Sequence, residues 1–393
     1  MATADPARDV LDLTRQLVAI DSVNPTLVAT APGEAAIAAF VADRLENAGF
    51  HVRTLSAASD DRRVSVIAVR EGSRPGRTIV LNGHLDTVGV EGMDDPFTAR
   101  IDGDRLLGRG TSDMKGGVAG LIVAAETLAA ADAPGRIIVT LVADEEDGSV
   151  GAMQVIDELT GSATAMDLCL IAEPTWLDLP VAHRGYSVVK VSFRGVGAHS
   201  SQPELGVDAL LPVGSLLQAV TGRYAELVAS AQHPLLSCGS MMTTVVRGGS
   251  APFTVAADSE VWIERRTLPG EADSVALDEV RALVAALSLD PRLDSSVELI
   301  IRRDAWEADA TGPAAEFSTL LTSALPAAGG ATPQRTGAPY WMESALWQAA
   351  GVPTVVCGPA GGGLHAVDEW VDIPQLQRFP VAVADAAGRF LSS

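Results

Sequence analysis

Positive charge is scarce in this 393-residue sequence: 28 Lys and Arg stand against 50 Asp and Glu, for a formal net charge of −22 and a pI near 4.5. A surface of that sign repels phosphate backbones and anionic lipids, which argues against nucleic-acid and membrane partners. Only two lysines occur, Lys115 and Lys190, among many arginines and alanines, a skew that reads as genomic composition bias. Cysteine is nearly missing as well. Cys169, Cys238 and Cys357 are odd in number, far apart and set among apolar neighbours, the pattern of buried free thiols in a reducing cytoplasm rather than of a disulfide framework. No run of about eighteen or more uncharged apolar residues appears, although 47% of the chain is hydrophobic, so a globular protein is expected. The opening MATADPARDV lacks the charged-then-apolar layout of a secretory signal.

What is present is an alternation of apolar segments. At 393 residues the chain exceeds what one hydrophobic core usually supports, so two domains are expected. Residues 36–50, AIAAFVADRLENAGF, have helical periodicity and reach a glycine stop. VSVIAVR and RTIVLNG are short, nearly continuous apolar runs, as in strands covered on both faces. Residues 116–132 are helical, and RIIVTLVAD and MDLCLIAEP are strands again. This alternation predicts an α/β fold with a doubly wound, mostly parallel sheet and functional residues at the C-terminal ends of its strands. Beyond about residue 184 the texture changes to alternating strands (YSVVKVSFRG, SMMTTVVRGG) and two amphipathic helices. The expected organisation is a catalytic domain in two parts, residues 1–184 and 304–393, interrupted by a two-layer α/β module at 185–303.

Five segments place His, Asp or Glu at a strand exit or at the mouth of the next helix. They carry His84 and Asp86 after TIVLNG, Asp113 in GRGTSDMKGG, Asp144, Glu145 and Glu146 after RIIVTLVA, Glu173 after DLCLIA, and His365 after PTVVCGPAGGGL. A single acid in such a place is more often a helix cap or a solvated turn. Gathered on one sheet edge, the carboxylates repel one another unless cations sit among them. Two histidines and three carboxylates suit two divalent ions that share a bridging carboxylate and keep a position open for water. The imidazoles favour zinc over calcium, with cobalt and manganese as open alternatives. Asp86, two residues past His84, can accept from the second ring nitrogen and hold the ring in place. Glu145 and Glu146 project in different directions from an extended chain, so one can bind metal while the other acts as a base.

GHLDTV, GRGTSDMKGG, DEEDGSVGA, AEP, GVGAHSSQPELGVDA, RTLPG and GPAGGGLHAVDEWV resemble, in order and spacing, the zinc-dependent amidohydrolase and exopeptidase family of acetylornithine deacetylase, succinyl-diaminopimelate desuccinylase, aminoacylase-1 and the glutamate carboxypeptidases. The resemblance spans almost the whole chain. It implies that His84, Asp113 and Glu173 hold one zinc and that Asp113, Glu146 and His365 hold the other, with Asp113 bridging. It implies Glu145 as general base and proton shuttle, Asp86 as the group orienting His84, and a cis peptide after Asp113. The module at 185–303 is, by the same resemblance, a lid and dimerisation domain, and His199 reaches the active site across the dimer to stabilise the oxyanion. Arg266 matches an arginine that engages the substrate carboxylate; its alternative is a pair with Glu264.

Two departures bear on specificity. Phe253 stands where the family often has asparagine, and Met342 and Glu343 stand where it usually has a Thr/Ser-Asp pair. If Tyr340, Trp341, Met342 and Phe253 lined the pocket, they would make it more apolar than an ornithine side chain requires. His51, His183 and His233 fall outside the metal motifs and are expected to be structural or superficial. The glycines of GPAGGGLH precede no Lys-Ser/Thr, so they are expected to let backbone pass close to metal and substrate rather than to cradle phosphate. The expected protein is a cytoplasmic, homodimeric, di-zinc hydrolase of an N-acyl amino acid or short peptide with a free carboxylate. An acetylornithine deacetylase-like deacylase leads; aminoacylase, dipeptidase or carboxypeptidase is the alternative within the family, and a non-catalytic metal-dependent binding protein the alternative outside it.

Overall fold

The computed structural model describes residues 6–58, 60–162 and 164–393; residues 1–5, the first part of the segment read above for a secretory signal, lie outside them. The chain divides into two compact units, one comprising the chain up to Val181, Ala308–Thr336 and Met342–Ser393, the other Ala182–Glu307 and Gly337–Trp341. No described helix is long and apolar enough to cross a membrane.

In the first unit a six-stranded sheet runs in the order His51–Ala57, Asp60–Glu71, Arg136–Val142, Thr78–His84, Leu168–Ile171, Thr354–Val356. The last four strands are mutually parallel, and the first two add antiparallel at one edge. The expected doubly wound, mostly parallel sheet is therefore present. Every residue of Thr78–His84 is buried, because both faces are covered. Leu81, Val139, Leu141 and Leu170 enter a core shared with helices Pro6–Val18, Ala35–Asn47, Gly116–Ala130, Gly312–Ala327 and Ile373–Leu391. Their alternate neighbours Val80, Ile138 and Cys169 are equally buried on the opposite face, where helix Val150–Gly161 packs. Helix Gly116–Ala130 is apolar almost all round because Pro6–Val18 and Ile373–Leu391 both pack against it. The helix expected over 36–50 ends at Asn47 and is followed by Gly49 at φ +86°.

The second unit is a four-stranded antiparallel sheet in the order Ser240–Gly248, Asp258–Thr267, Gly185–Arg194, Asp294–Arg303. Strand Gly185–Arg194 alternates buried and half-buried positions, the signature of a sheet with one covered face. Val189, Val191, Phe193, Val261 and Ile263 pack under Leu216 and Val220 of helix Leu211–Ala229 and Val280 of helix Val275–Ala285. Arg265 is fully buried on that face and is paired with Glu271 at 2.7 Å and Glu279 at 2.8 Å.

Candidate active site

The parallel strands deliver the polar residues to one edge. His84 closes Thr78–His84, Glu145 and Glu146 follow Arg136–Val142, Glu173 follows Leu168–Ile171, and His365 lies in the loop after Thr354–Val356. Asp113 occupies the wide turn Thr111–Lys115 ahead of helix Gly116–Ala130, and its peptide bond to Met114 is cis, as the resemblance implies.

The carboxylate of Asp113 is divided between the two histidines: Oδ1 lies 3.1 Å from His84 Nε2, and Oδ2 lies 3.4 Å from His365 Nε2. Glu146 Oε2 is 3.1 Å from the same His365 nitrogen. Ligand atoms of His84, Glu145 and Glu173 lie within 4.8 Å of one another, as do those of His84, Asp113 and Glu146. Two atoms bound at about 2.0–2.1 Å to one tetrahedral ion stand about 3.3 Å apart, so these separations suit a shared cation as well as a shared proton. Glu146 Oε1 is buried with no hydrogen-bond partner among the described residues, an orphan that a metal ion would satisfy. The residues present therefore fit divalent ions.

Electrostatics lead to the same place. Burial, reinforced by neighbouring negative charge, pushes Glu173 up to about 8 and Glu146 up to about 7. Burial and Glu173 together hold Glu145 well above the usual carboxylate range. His365, facing Asp113 and Glu146, rises to about 10. In the metal-free protein all these groups bind protons more tightly when folded than when unfolded. The resulting stability is complete below the ordinary carboxyl value of 4.5 and is lost as pH rises through 7 to 8, with His365 extending the loss from 6.5 towards 10. We expect the melting temperature of metal-free protein to fall between pH 5.5 and 8.5, and zinc to raise it more at pH 8 than at pH 5.5. A metal-free melting temperature independent of pH over that range would contradict this account.

The nearest acceptor to His84 Nδ1 is the Asp86 backbone carbonyl at 3.0 Å; the carboxylate is 3.5 Å away. That carboxylate also accepts from Asn24 Nδ2 at 2.8 Å and from the backbone N–H groups of Glu145 and Glu146, each at 3.1 Å. Asp86 thus ties the His84 strand to the Glu145–Glu146 turn.

Three supporting groups escaped sequence reasoning. Glu369 accepts from Arg109 Nη1 at 2.7 Å and from the N–H groups of Gly110, Ser112 and Asp113 at 2.8, 2.9 and 3.0 Å, fastening the turn that carries Asp113. Asn82, two residues before His84, donates to Glu343 at 3.1 Å. Asn24 joins Asp86 and Asp144. A buried acid four residues past a metal-type histidine was the one visible hint, in the case of Glu369.

The four residues considered for an apolar pocket wall have different surroundings. Met342 is in the core, 1% exposed. Trp341 lies edge-on to His183 and Tyr186 and donates to the Asp304 carbonyl. Tyr340 is part-exposed, and Phe253, 72% exposed, precedes Thr254, the register partner of His199. His183 is buried and stacked on Trp306, a structural role. His199 is exposed, and its Nδ1 lies 2.7 Å from the Ser201 hydroxyl and 3.2 Å from the Ser201 backbone nitrogen. Arg266 is paired with Glu264 at 2.5 Å and lies over the Tyr186 ring, but on an internal strand rather than an edge. The glycines before His365 serve the backbone: a Cβ on Gly361 would stand 1.8 Å from the Trp370 carbonyl, and Gly363 has φ +68°.

Residues 80–387 match peptidase family M20/M25/M40. A succinyl-diaminopimelate desuccinylase of Rhizorhabdus wittichii is 29% identical over 385 residues, 94% of each chain. An acetylornithine deacetylase of Myxococcus xanthus is 28% identical over 359 residues, 88% of this chain and 90% of its own. A solved dinuclear metal-binding peptidase of family M20 from Bacillus subtilis has the same fold, with a TM-score of 0.71 at 16% identity over 98% of each chain. With a match running from the strand of His84 into the last helix, the chain belongs to peptidase family M20/M25/M40.

Proposed function

We propose that this metal-dependent amidohydrolase removes the acyl group from an N-acyl amino acid bearing a free carboxylate, with an acetylornithine-type deacylase as the leading named activity. The observation that carries the reading is the split Asp113 carboxylate, one oxygen towards His84 and the other towards His365, with Glu145 beside them. His84, Asp113 and Glu173 would hold one ion and Asp113, Glu146 and His365 the other; the relative described as a dinuclear metal-binding peptidase supports that count. Nitrogen and oxygen donors in this mixture favour zinc. Bound there, two divalent ions supply polarisation of the scissile carbonyl and acidification of water.

The chain's own groups do the rest. Glu145 takes the proton from the attacking water as the new C–O bond forms, and returns it to the amide nitrogen as the C–N bond breaks. His199 would donate an N–H to the oxyanion. Arg266 would take the substrate carboxylate in competition with Glu264. We assign the unit containing residues 185–303 to lid and dimer formation, and the cytoplasm as the compartment.

The test is a screen of purified zinc-loaded protein against N-acetyl-L-ornithine, N-succinyl-LL-diaminopimelate, other N-acyl amino acids and dipeptides. The expected result is turnover of an N-acyl amino acid above any dipeptide. Preference for dipeptides would move the chain to the peptidase side of its family, and zinc uptake without hydrolysis of any amide would favour a binding protein.

A further inference from the structure

Beneath the candidate site lies a buried cation that the hydrolytic reading does not use. Arg63, on strand Asp60–Glu71, is 4% exposed. Its Nη1 donates to Glu34 Oε1 at 2.9 Å, while Nη2 meets Asn24 Oδ1 at 2.7 Å, Asp144 Oδ1 at 2.9 Å and the Thr26 hydroxyl. Glu34 and Asn24 are fully buried and Asp144 nearly so. A guanidinium only donates, so it fixes the carbonyl end of the Asn24 amide towards itself. The amide NH2 is thereby turned to the other side, where it reaches Asp86 Oδ2 at 2.8 Å and Asp144 Oδ1 at 3.1 Å. Asp86 in turn accepts from the N–H groups of Glu145 and Glu146. An unbroken chain of hydrogen bonds thus runs from Arg63 through Asn24 and Asp86 to the turn presenting the proposed base and one proposed ligand. Asp144, the residue just before that turn, sits at φ +71° and is held by Arg63 directly.

We propose that Arg63 is a positioning residue for the metal centre: acting through Asn24 and Asp86, it sets where the Glu145–Glu146 turn presents Glu146 to the ion shared with Asp113 and His365. The proposal rests on the assignment of Glu146 as a ligand. Lysine cannot replace the arginine, because one ammonium cannot span Glu34, Asn24 and Asp144 as a planar fork does. Outer groups of this kind typically change metal affinity about 10- to 100-fold when lost.

The test uses the full chain stripped of metal and titrated with Zn2+ against a chromophoric chelator, so no substrate is needed. Arg63→Lys and Asn24→Ala should each weaken one of the two binding steps about 10- to 100-fold. The double variant should be no weaker than Asn24→Ala alone, since Asn24 is the step through which Arg63 acts. Asn24→Ala leaves both ion pairs of Arg63 in place and so carries the test even if Arg63→Lys does not fold. Lower melting temperatures with both dissociation constants unchanged would mean a merely structural role and overturn the proposal. So would additive losses in the double variant. Glu146→Gln separates the two levels: if it leaves both binding steps intact, the ligand assignment fails; if it removes one step while Asn24→Ala disturbs neither, only the role of Arg63 fails.

Discussion

Glu145→Ala is expected to keep its full complement of metal and to lose about three orders of magnitude in turnover. The expectation follows from how the neighbouring glutamates are held. The backbone N–H groups of both are pinned by Asp86, but only Glu146 is paired with His365, at 3.1 Å. Glu145 stands beside His84 and Glu173, and burial and neighbouring charge keep its proton affinity high. Truncating it leaves the proposed ligand set complete and removes the group that moves the proton. His84→Ala and His365→Ala should behave differently, losing bound metal and activity together. Metal content by elemental analysis beside turnover number distinguishes the cases. If Glu145→Ala empties the site while Glu146→Ala leaves it filled, the two glutamates have exchanged roles.

The sequence made the sheet legible because both of its faces are covered. Runs such as RTIVLNG have no reading as a half-exposed strand, and their order fixed which edge would collect His84, Glu146, Glu173 and His365. The antiparallel edge formed by His51–Ala57 was harder to see: its residues alternate only between half-buried and exposed, which leaves a weak pattern. The supporting groups were illegible for a different reason. Arg63 and Asn24 lie 39 residues apart, and Arg109 and Glu369 260 apart, so nothing local marks either pair. In a linear reading each is one more surface-type polar residue. Only the folded sheet shows that Arg63 is buried against Glu34 and Asp144, where an unpaired guanidinium would be costly.

Glu343 shows the same limit from the other side. The sequence marks it as a departure from a Thr/Ser-Asp pair, and the natural inference from its neighbours Tyr340, Trp341 and Met342 is an apolar pocket wall. In the structure Met342 joins the core and Glu343 adds another buried carboxylate behind the site, raised to about 7 by burial, with Oε2 held by Asn82 and Oε1 unpartnered. Against a Thr/Ser-Asp pair, Met342-Glu343 thus keeps one carboxylate and replaces a hydroxyl by a buried thioether side chain. Phe253 is exposed, beside the strand pair of His199.

That strand pair leads to the second large effect, expected when two defective subunits are combined. His199 is exposed, and it belongs to the unit that does not contain the proposed metal residues. The edge strand Ser240–Gly248 exposes Met242 and Val246, and helix Leu211–Ala229 exposes Leu211 and Val228. An apolar, unpaired edge of this kind suits a two-fold contact with a second copy. If His199 serves the partner's site, homodimers of Glu145→Ala and homodimers of His199→Ala are both nearly inactive. A mixed dimer then contains one site with both groups intact and one with neither. Under complete random exchange half the dimers are mixed and half of their sites work, so about a quarter of wild-type activity returns. Differently tagged subunits, purified through both tags in sequence, establish that exchange has occurred. Doubly tagged dimers that remain as inactive as the parents would place His199 in its own subunit's site or outside the chemistry altogether.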